Sequence, residues 1–196
     1  SRYNFFLVNY LLFKNKTVEA KKIIQNSIKK HKSNLLIKQT QIFLEDKNEK
    51  VKNFFNCKNP QDSLAEFFYI IANLYASEKN YQLSNFYLKI SLFLNNKFLT
   101  NKALLAENFY YQGKNELSMN TYNSLKSIGS EYSWHATKNI AQILLEIKGK
   151  KYSISNLETE FNLIANPNFE HYYELANFYK DNEYFDKSIK YYSLAL

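Results

Sequence analysis

The chain has 196 residues, 45% of them hydrophobic and 17% aromatic, so material for a core is ample. Three Gly and two Pro are too few for an all-β fold with many tight turns, and a single cysteine, Cys57, excludes an internal disulfide and a Cys-based metal site. The net charge of +8 is uneven: residues 1–58 carry 12 Lys and the sole arginine, Arg2, against four acids, whereas residues 59–196 carry 13 Lys against 14 acids.

No apolar run reaches the length of a membrane span. The stretch Phe5–Phe13 is apolar but interrupted by Asn9, and without a small-residue cleavage site it reads as a helix rather than a signal peptide.

Along the chain, small or short residues recur at Val8, Thr40, Ala72, Ala106, Ala141 and Ala176, with spacings of 32, 32, 34, 35 and 35. One residue before each lie Leu7, Gln39, Ile71, Leu105, Ile140 and Leu175. Three residues after each lie Leu11, Phe43, Tyr75, Phe109, Leu144 and Tyr179. These offsets share one face of a helix. A polar turn follows every time, at Asn15-Lys16, Lys47-Asn48, Lys79-Asn80, Gly113-Lys114, Lys148-Gly149 and Asp181-Asn182, where Gly and Asn suit the left-handed backbone that ends a helix.

Twelve residues past the anchor a small residue returns as Ala20, Ser84, Ser118, Ser153 and Ser188, with Lys52 in the second unit. Four further on stand Ile24, Leu88, Tyr122, Leu157 and Tyr192. The pattern predicts antiparallel helix pairs that approach closely where small residues face each other while bulky neighbours interdigitate. Ser63-Leu64-Ala65-Glu66 predicts a capping box opening a helix after Pro60, and Asn168 is expected to cap a helix beginning at Phe169.

These residues carry a resemblance to the tetratricopeptide repeat (TPR) family, whose motif has small residues at positions eight, twenty and twenty-seven and bulky ones at four, seven, eleven and twenty-four. Ala72, Ser84 and Ser91 with Phe68, Ile71, Tyr75 and Leu88 match it. So do Ala106, Ser118 and Leu125 with Leu105, Phe109 and Tyr122, and again Ala176, Ser188 and Ala195 with Tyr172, Leu175, Tyr179 and Tyr192. Glu160, Lys52 and Asn4 depart from it, and the match is firm over residues 65–196 and weaker over 1–64. The resemblance implies an all-α fold, an α-solenoid of about six antiparallel helix-turn-helix repeats in a right-handed superhelix. The expected units are approximately 1–32, 33–64, 65–98, 99–133, 134–168 and 169–196, forming one repeat domain, expected to belong to a longer repeat protein. About twelve helices are expected. Ile189, Tyr192 and Leu196 would leave an uncapped apolar end on the last helix, through which the chain would self-associate.

The sequence offers no catalytic constellation. His31, His135 and His171 are far apart, no glycine-rich phosphate loop exists, and no serine is flanked as a nucleophile. No enzyme activity, metal or cofactor is expected. Asn15-Lys16-Thr17 matches the glycosylation acceptor pattern as an isolated tripeptide.

The resemblance instead implies a concave groove lined by the first helix of each pair, placing Tyr69, Asn73, Glu107, Tyr110, Lys138, Gln142, Tyr173 and Asn177 at a peptide- or protein-binding surface. Amide side chains can both donate to and accept from a peptide backbone, and tyrosine gives wide contact at low entropic cost. The expected function is therefore a protein–protein interaction scaffold holding a peptide or helix of a partner. The basic N-terminal third suggests an alternative, a surface that docks on anionic lipid or nucleic acid, with nucleic acid disfavoured because arginine forks are missing. A purely structural or oligomerising spacer is a further alternative. The chain is expected to be soluble, in the cytoplasm or a bacterial periplasm.

Overall fold

Asn59 and Pro60 show how the local chemistry starts a helix. The Asn59 side chain accepts from Gln61 N at 3.1 Å, and Pro60, which has no N–H to satisfy, occupies the first helical position. The helix therefore begins three residues before the expected capping box. Ser63 lies inside it, and Glu66 does not reach back to cap but pairs with Arg2. Asn168 behaves as expected: its Oδ1 accepts from His171 N, and Asn168 N donates to His171 Nδ1, each at 3.1 Å. The imidazole takes the place of the usual Glu or Gln.

The structure is a computed structural model that describes residues 2–31, 33–45, 55–56 and 58–196. Among these the elements are α1 (Arg2–Phe13), α2 (Thr17–Lys30), α3 (Leu35–Glu45), α4 (Pro60–Ser77), α5 (Tyr81–Leu94), a 3-10 turn (Leu99–Asn101), α6 (Lys102–Tyr111), α7 (Asn115–Leu125), α8 (Ser130–Lys148), α9 (Lys150–Asn162), α10 (Phe169–Asp181) and α11 (Phe185–Ala195), with no strand. The turn expected at Lys47-Asn48, the helix expected around Lys52, and Cys57 lie outside the described residues. The chain forms two compact units, Ser1–Ser133 and Trp134–Leu196.

All six anchor residues are buried at 2% exposure or less. Their partners Ala20, Ser84, Ser118, Ser153 and Ser188 are buried as well. The serines do more than leave room. Ser118 Oγ donates to the Ala106 carbonyl at 2.8 Å, Ser153 Oγ to Ala141 at 2.5 Å, and Ser188 Oγ to Ala176 at 3.0 Å. Each bond runs from the second helix of a hairpin to the anchor of the first. A buried hydroxyl needs a partner, and a helix carbonyl has a second lone pair to offer. In the α4/α5 hairpin Ser84 Oγ instead accepts from Asn108 Nδ2 of α6 at 2.7 Å, and so ties one repeat to the next.

The turns share a second regularity. Asn15, Lys79, Gly113 and Glu183, each seven residues past its anchor, have φ of 57°, 61°, 69° and 70°. In each, the next residue's N–H bonds back to the carbonyl of the bulky residue three past the anchor, namely Leu11, Tyr75, Phe109 and Tyr179, at 2.8–2.9 Å. This is the six-to-one bond of a Schellman ending. At Gly149 the left-handed residue comes one position later. Two expectations are corrected here. The final turn is made by Glu183 rather than Asp181-Asn182, and Lys79, not Asn80, takes the left-handed backbone, while Asn80 caps α5 by accepting from Leu83 N at 3.3 Å.

In the first unit, Phe5, Val8, Leu11, Ala20, Ile24, Leu36, Ile37 and Phe98 form one core cluster, with Phe5 stacked on Phe98 at 5.6 Å, and Ala72, Leu88 and Leu105 form another. Leu7, expected on the buried face, is 44% exposed. In the second unit the core comprises Trp134, Ala141, Ile154, Leu157, Phe161, Leu175 and Tyr179. Ile189 and Leu196 are exposed, and Tyr192 is half-buried.

Three stability changes test this account. Ala106→Leu should over-pack the α6/α7 crossing and lower unfolding stability by about 1–3 kcal/mol, read from urea denaturation, whereas Ser118→Ala should cost about 0.5–1.5 kcal/mol through its lost hydrogen bond. Lys79→Gly should raise stability by roughly 0.5–1 kcal/mol. Relief of a left-handed side chain, about 1–2 kcal/mol, exceeds the added chain entropy of glycine.

Candidate protein-binding surface

The first unit builds a recess from Arg2 on α1, Ser33–Leu36 at the start of α3, Tyr69 and Asn73 on α4, Thr100 and Ala103 around the 3-10 turn, and Tyr132 at the start of α8; its volume is about 350 Å³. Arg2 is clamped. Its Nε donates to Glu66 Oε1 at 2.6 Å and its Nη2 to Glu66 Oε2 at 2.7 Å and to Asn101 Oδ1 at 2.8 Å. The guanidinium lies 3.8 Å from the Tyr69 ring centre and 4.9 Å from that of Phe98. Such a fork against a carboxylate, with a ring beneath it, is geometry that lysine cannot supply.

The bonds continue from Asn101 Nδ2 to Ser91 Oγ at 2.9 Å, and from Ser91 Oγ to the Ala65 carbonyl at 2.7 Å. α1, α4, α5 and the 3-10 turn are thereby linked by one polar chain. Burial works against the charge of Arg2, but Glu66 and Tyr69 outweigh it and hold the guanidinium pKa above its ordinary value. Tyr132 is buried, and that burial pushes its phenol well above the ordinary tyrosine range despite the opposing charge of Arg2, so the hydroxyl stays protonated. Thr100 Oγ1 is buried and faces the Tyr132 hydroxyl.

The far wall is positioned by Gln39, whose Oε1 accepts from Glu131 N in the first turn of α8 at 3.0 Å. Gly129 makes this approach feasible: a Cβ there would come within 2.2 Å of the Gln39 amide.

The eight groove residues read from the sequence divide between the two units. Tyr69 and Asn73 come together in the recess; Tyr69 is half-buried and Asn73 exposed. Glu107 is exposed on α6, and Tyr110 beside it is half-buried. Glu107, followed by burial, raises the pKa of the Tyr111 phenol, which stacks on Tyr81 at 5.2 Å.

In the second unit Lys138 is ion-paired with Glu174 at 2.5 Å, and Glu174 also accepts from Trp134 Nε1 at 2.6 Å. Gln142 is exposed on the same helix. Tyr173 stacks on Phe169 at 5.7 Å, and Asn177 Oδ1 accepts from Tyr192 OH at 2.5 Å. Arg2, Thr100 and Tyr132 were not anticipated. Arg2 and Glu66 are 64 residues apart, and no local pattern joins them.

Among the described residues no group of three or more His, Cys, Asp or Glu side chains is placed to hold a metal ion, and no helix is long and apolar enough to cross a membrane.

His135 on α8 is pushed down to about 4 by burial first and Lys138 second, with Glu174 opposing. Between that value and the ordinary 6.5 the unfolded chain binds a proton that the folded chain does not, so stability falls as pH drops through this window. Denaturation midpoints measured from pH 7 to pH 4.5 should show a loss of up to about 3 kcal/mol from this residue, and His135→Gln should flatten that part of the profile.

No protein-family model and no curated protein sequence matches the chain. Among solved structures it is similar to a crystal structure of a Podosopora anserina protein described as a kinesin light chain with nearly identical TPR-like repeats, at 12% identity and a TM-score of 0.53 over 99% of this chain and 92% of that one. At that identity the likeness is one of fold, and the fold is that of a TPR-like helical-repeat solenoid.

Proposed function

We propose that the chain is a non-catalytic interaction module that holds a peptide or helix of a partner protein against the first helices of its hairpins. Folds of the TPR-like class generally mediate protein–protein contacts and are typically scaffolds without catalysis. The observation that carries the reading is the recess: two of the residues expected at the groove, Tyr69 and Asn73, open into one cavity of about 350 Å³ with polar and aromatic walls, within the size range of sites that seat a ligand group. Asn73 has no hydrogen-bond partner among the described residues and is exposed. Glu107 and Tyr110 would extend the surface along α6 within the first unit, and Lys138, Gln142, Tyr173 and Asn177 would form a surface of the same kind on α8 and α10 of the second.

A second reading rests on the exposed lysines of α2, Lys21, Lys22, Lys29 and Lys30, which would dock on an anionic surface.

Capture of proteins from an extract of the source cell on the immobilised chain, compared with the Tyr69→Ala/Asn73→Ala double variant, separates the two. The groove reading expects the captured partner to be lost by roughly 2 kcal/mol, about 30-fold, with a weak response to salt. Capture that survives the double variant but vanishes at moderate salt supports the lysine surface and overturns the groove.

A further inference from the structure

We propose that the recess at Tyr69 and Asn73 selects an uncharged carbonyl group of the bound partner, an amide side chain or a main-chain carbonyl, and rejects a carboxylate. This rests on the groove reading above and assigns the chemistry of its deepest point.

Among the described residues Arg2 is the only cation lining the recess. Its Nε and Nη2 donors are engaged by Glu66 and Asn101, and Nη1 has no hydrogen-bond partner among the described residues. An arginine edge with free N–H groups seeks an oxygen acceptor. The charge, however, is already balanced by a bidentate carboxylate at 2.6 and 2.7 Å.

A second carboxylate would gain attraction to Arg2 and meet repulsion from Glu66 only one guanidinium width further away. In a partly enclosed site neither is well screened, and the incoming ion would lose its water for little net gain. A neutral carbonyl pays far less desolvation and takes the same hydrogen bond.

The remaining walls favour an amide. The Asn73 amide is exposed and has no hydrogen-bond partner among the described residues, and the Thr100 and Tyr132 hydroxyls lie within reach of each other, each keeping a lone pair with which to accept. These groups offer acceptors as well as donors. A carboxamide can use both kinds, whereas a carboxylate only accepts.

Because Arg2 is the sole arginine, its Nε–H gives one unambiguous NMR signal. The nitrogen-15-labelled chain would be titrated at pH 7 with the blocked peptide Ac-Gly-Gly-Gln-Gly-Gly-NH2 and with its Glu counterpart. The Gln peptide should move the Arg2 Nε–H signal and the main-chain amides of Tyr69 and Asn73, and the Glu peptide should bind at least five-fold more weakly. Glu66→Gln, which uncovers the arginine charge, should reverse that order. Asn73→Lys, at an exposed position where folding is not at stake, should bring the Glu peptide level with the Gln peptide.

Equal or tighter binding of the Glu peptide to the unaltered chain overturns the selectivity and leaves the groove standing. So does an unchanged ranking in Asn73→Lys. Absence of any recess shift with either peptide overturns the recess as a carbonyl site. The groove itself is judged separately by whether Tyr69→Ala/Asn73→Ala abolishes partner capture.

Discussion

The structure depends on how closely the two helices of each hairpin can approach. Backbones come near enough for the gaps to be filled only where both facing side chains are small. Ala106 opposite Ser118, Ala141 opposite Ser153 and Ala176 opposite Ser188 meet that requirement, and the serine hydroxyl then reaches the alanine carbonyl across the crossing. The hydroxyl adds direction to what size alone leaves free, because packing tolerates a small slide of one helix along the other and a hydrogen bond does not. The Schellman turn seven residues past the anchor has the same effect at the other end of the crossing: it returns the chain at a set angle, with its carbonyl supplied by the bulky residue three past the anchor.

Charge plays a more local part. The chain is basic overall, yet its only arginine is half-buried. It lies against Tyr69 and Phe98 and is held by Glu66 and Asn101. A buried pair of this kind is weak evidence for net stability, since desolvation offsets much of the attraction, but it is strongly directional. Here it joins α1 to α4 and the 3-10 turn, and it sets the polarity of the recess that those elements enclose. The exposed lysines of α2 contribute little to this geometry.

The residues proposed for the groove differ in how ready they are for a partner. Asn73 and Gln142 face solvent. Lys138 is neutralised by Glu174, and Asn177 already accepts from Tyr192, so a partner would have to compete for Lys138 and for the Asn177 oxygen, leaving the Asn177 amide N–H groups to donate.

The helical class, the hairpin pairing and the buried anchors were legible in the sequence, because a period near 34 and the offsets of one, three and twelve residues are local and repeat. The same locality placed Tyr69 and Asn73 beside each other on one helix face. What only the tertiary structure decided are the contacts between segments far apart in the chain. Glu66 read as the end of a capping box until a guanidinium 64 residues upstream claimed it, and the Asn59–Pro60 start made that box unnecessary. Serine counted as merely small until its hydroxyl had a carbonyl within reach. Lys79 and Glu183 adopt a backbone that composition assigns to Gly or Asn, because the hairpin must turn seven residues past its anchor whatever residue stands there. Periodicity encodes which face is buried; it carries no information about which buried polar group meets which, and that pairing is what shapes the recess.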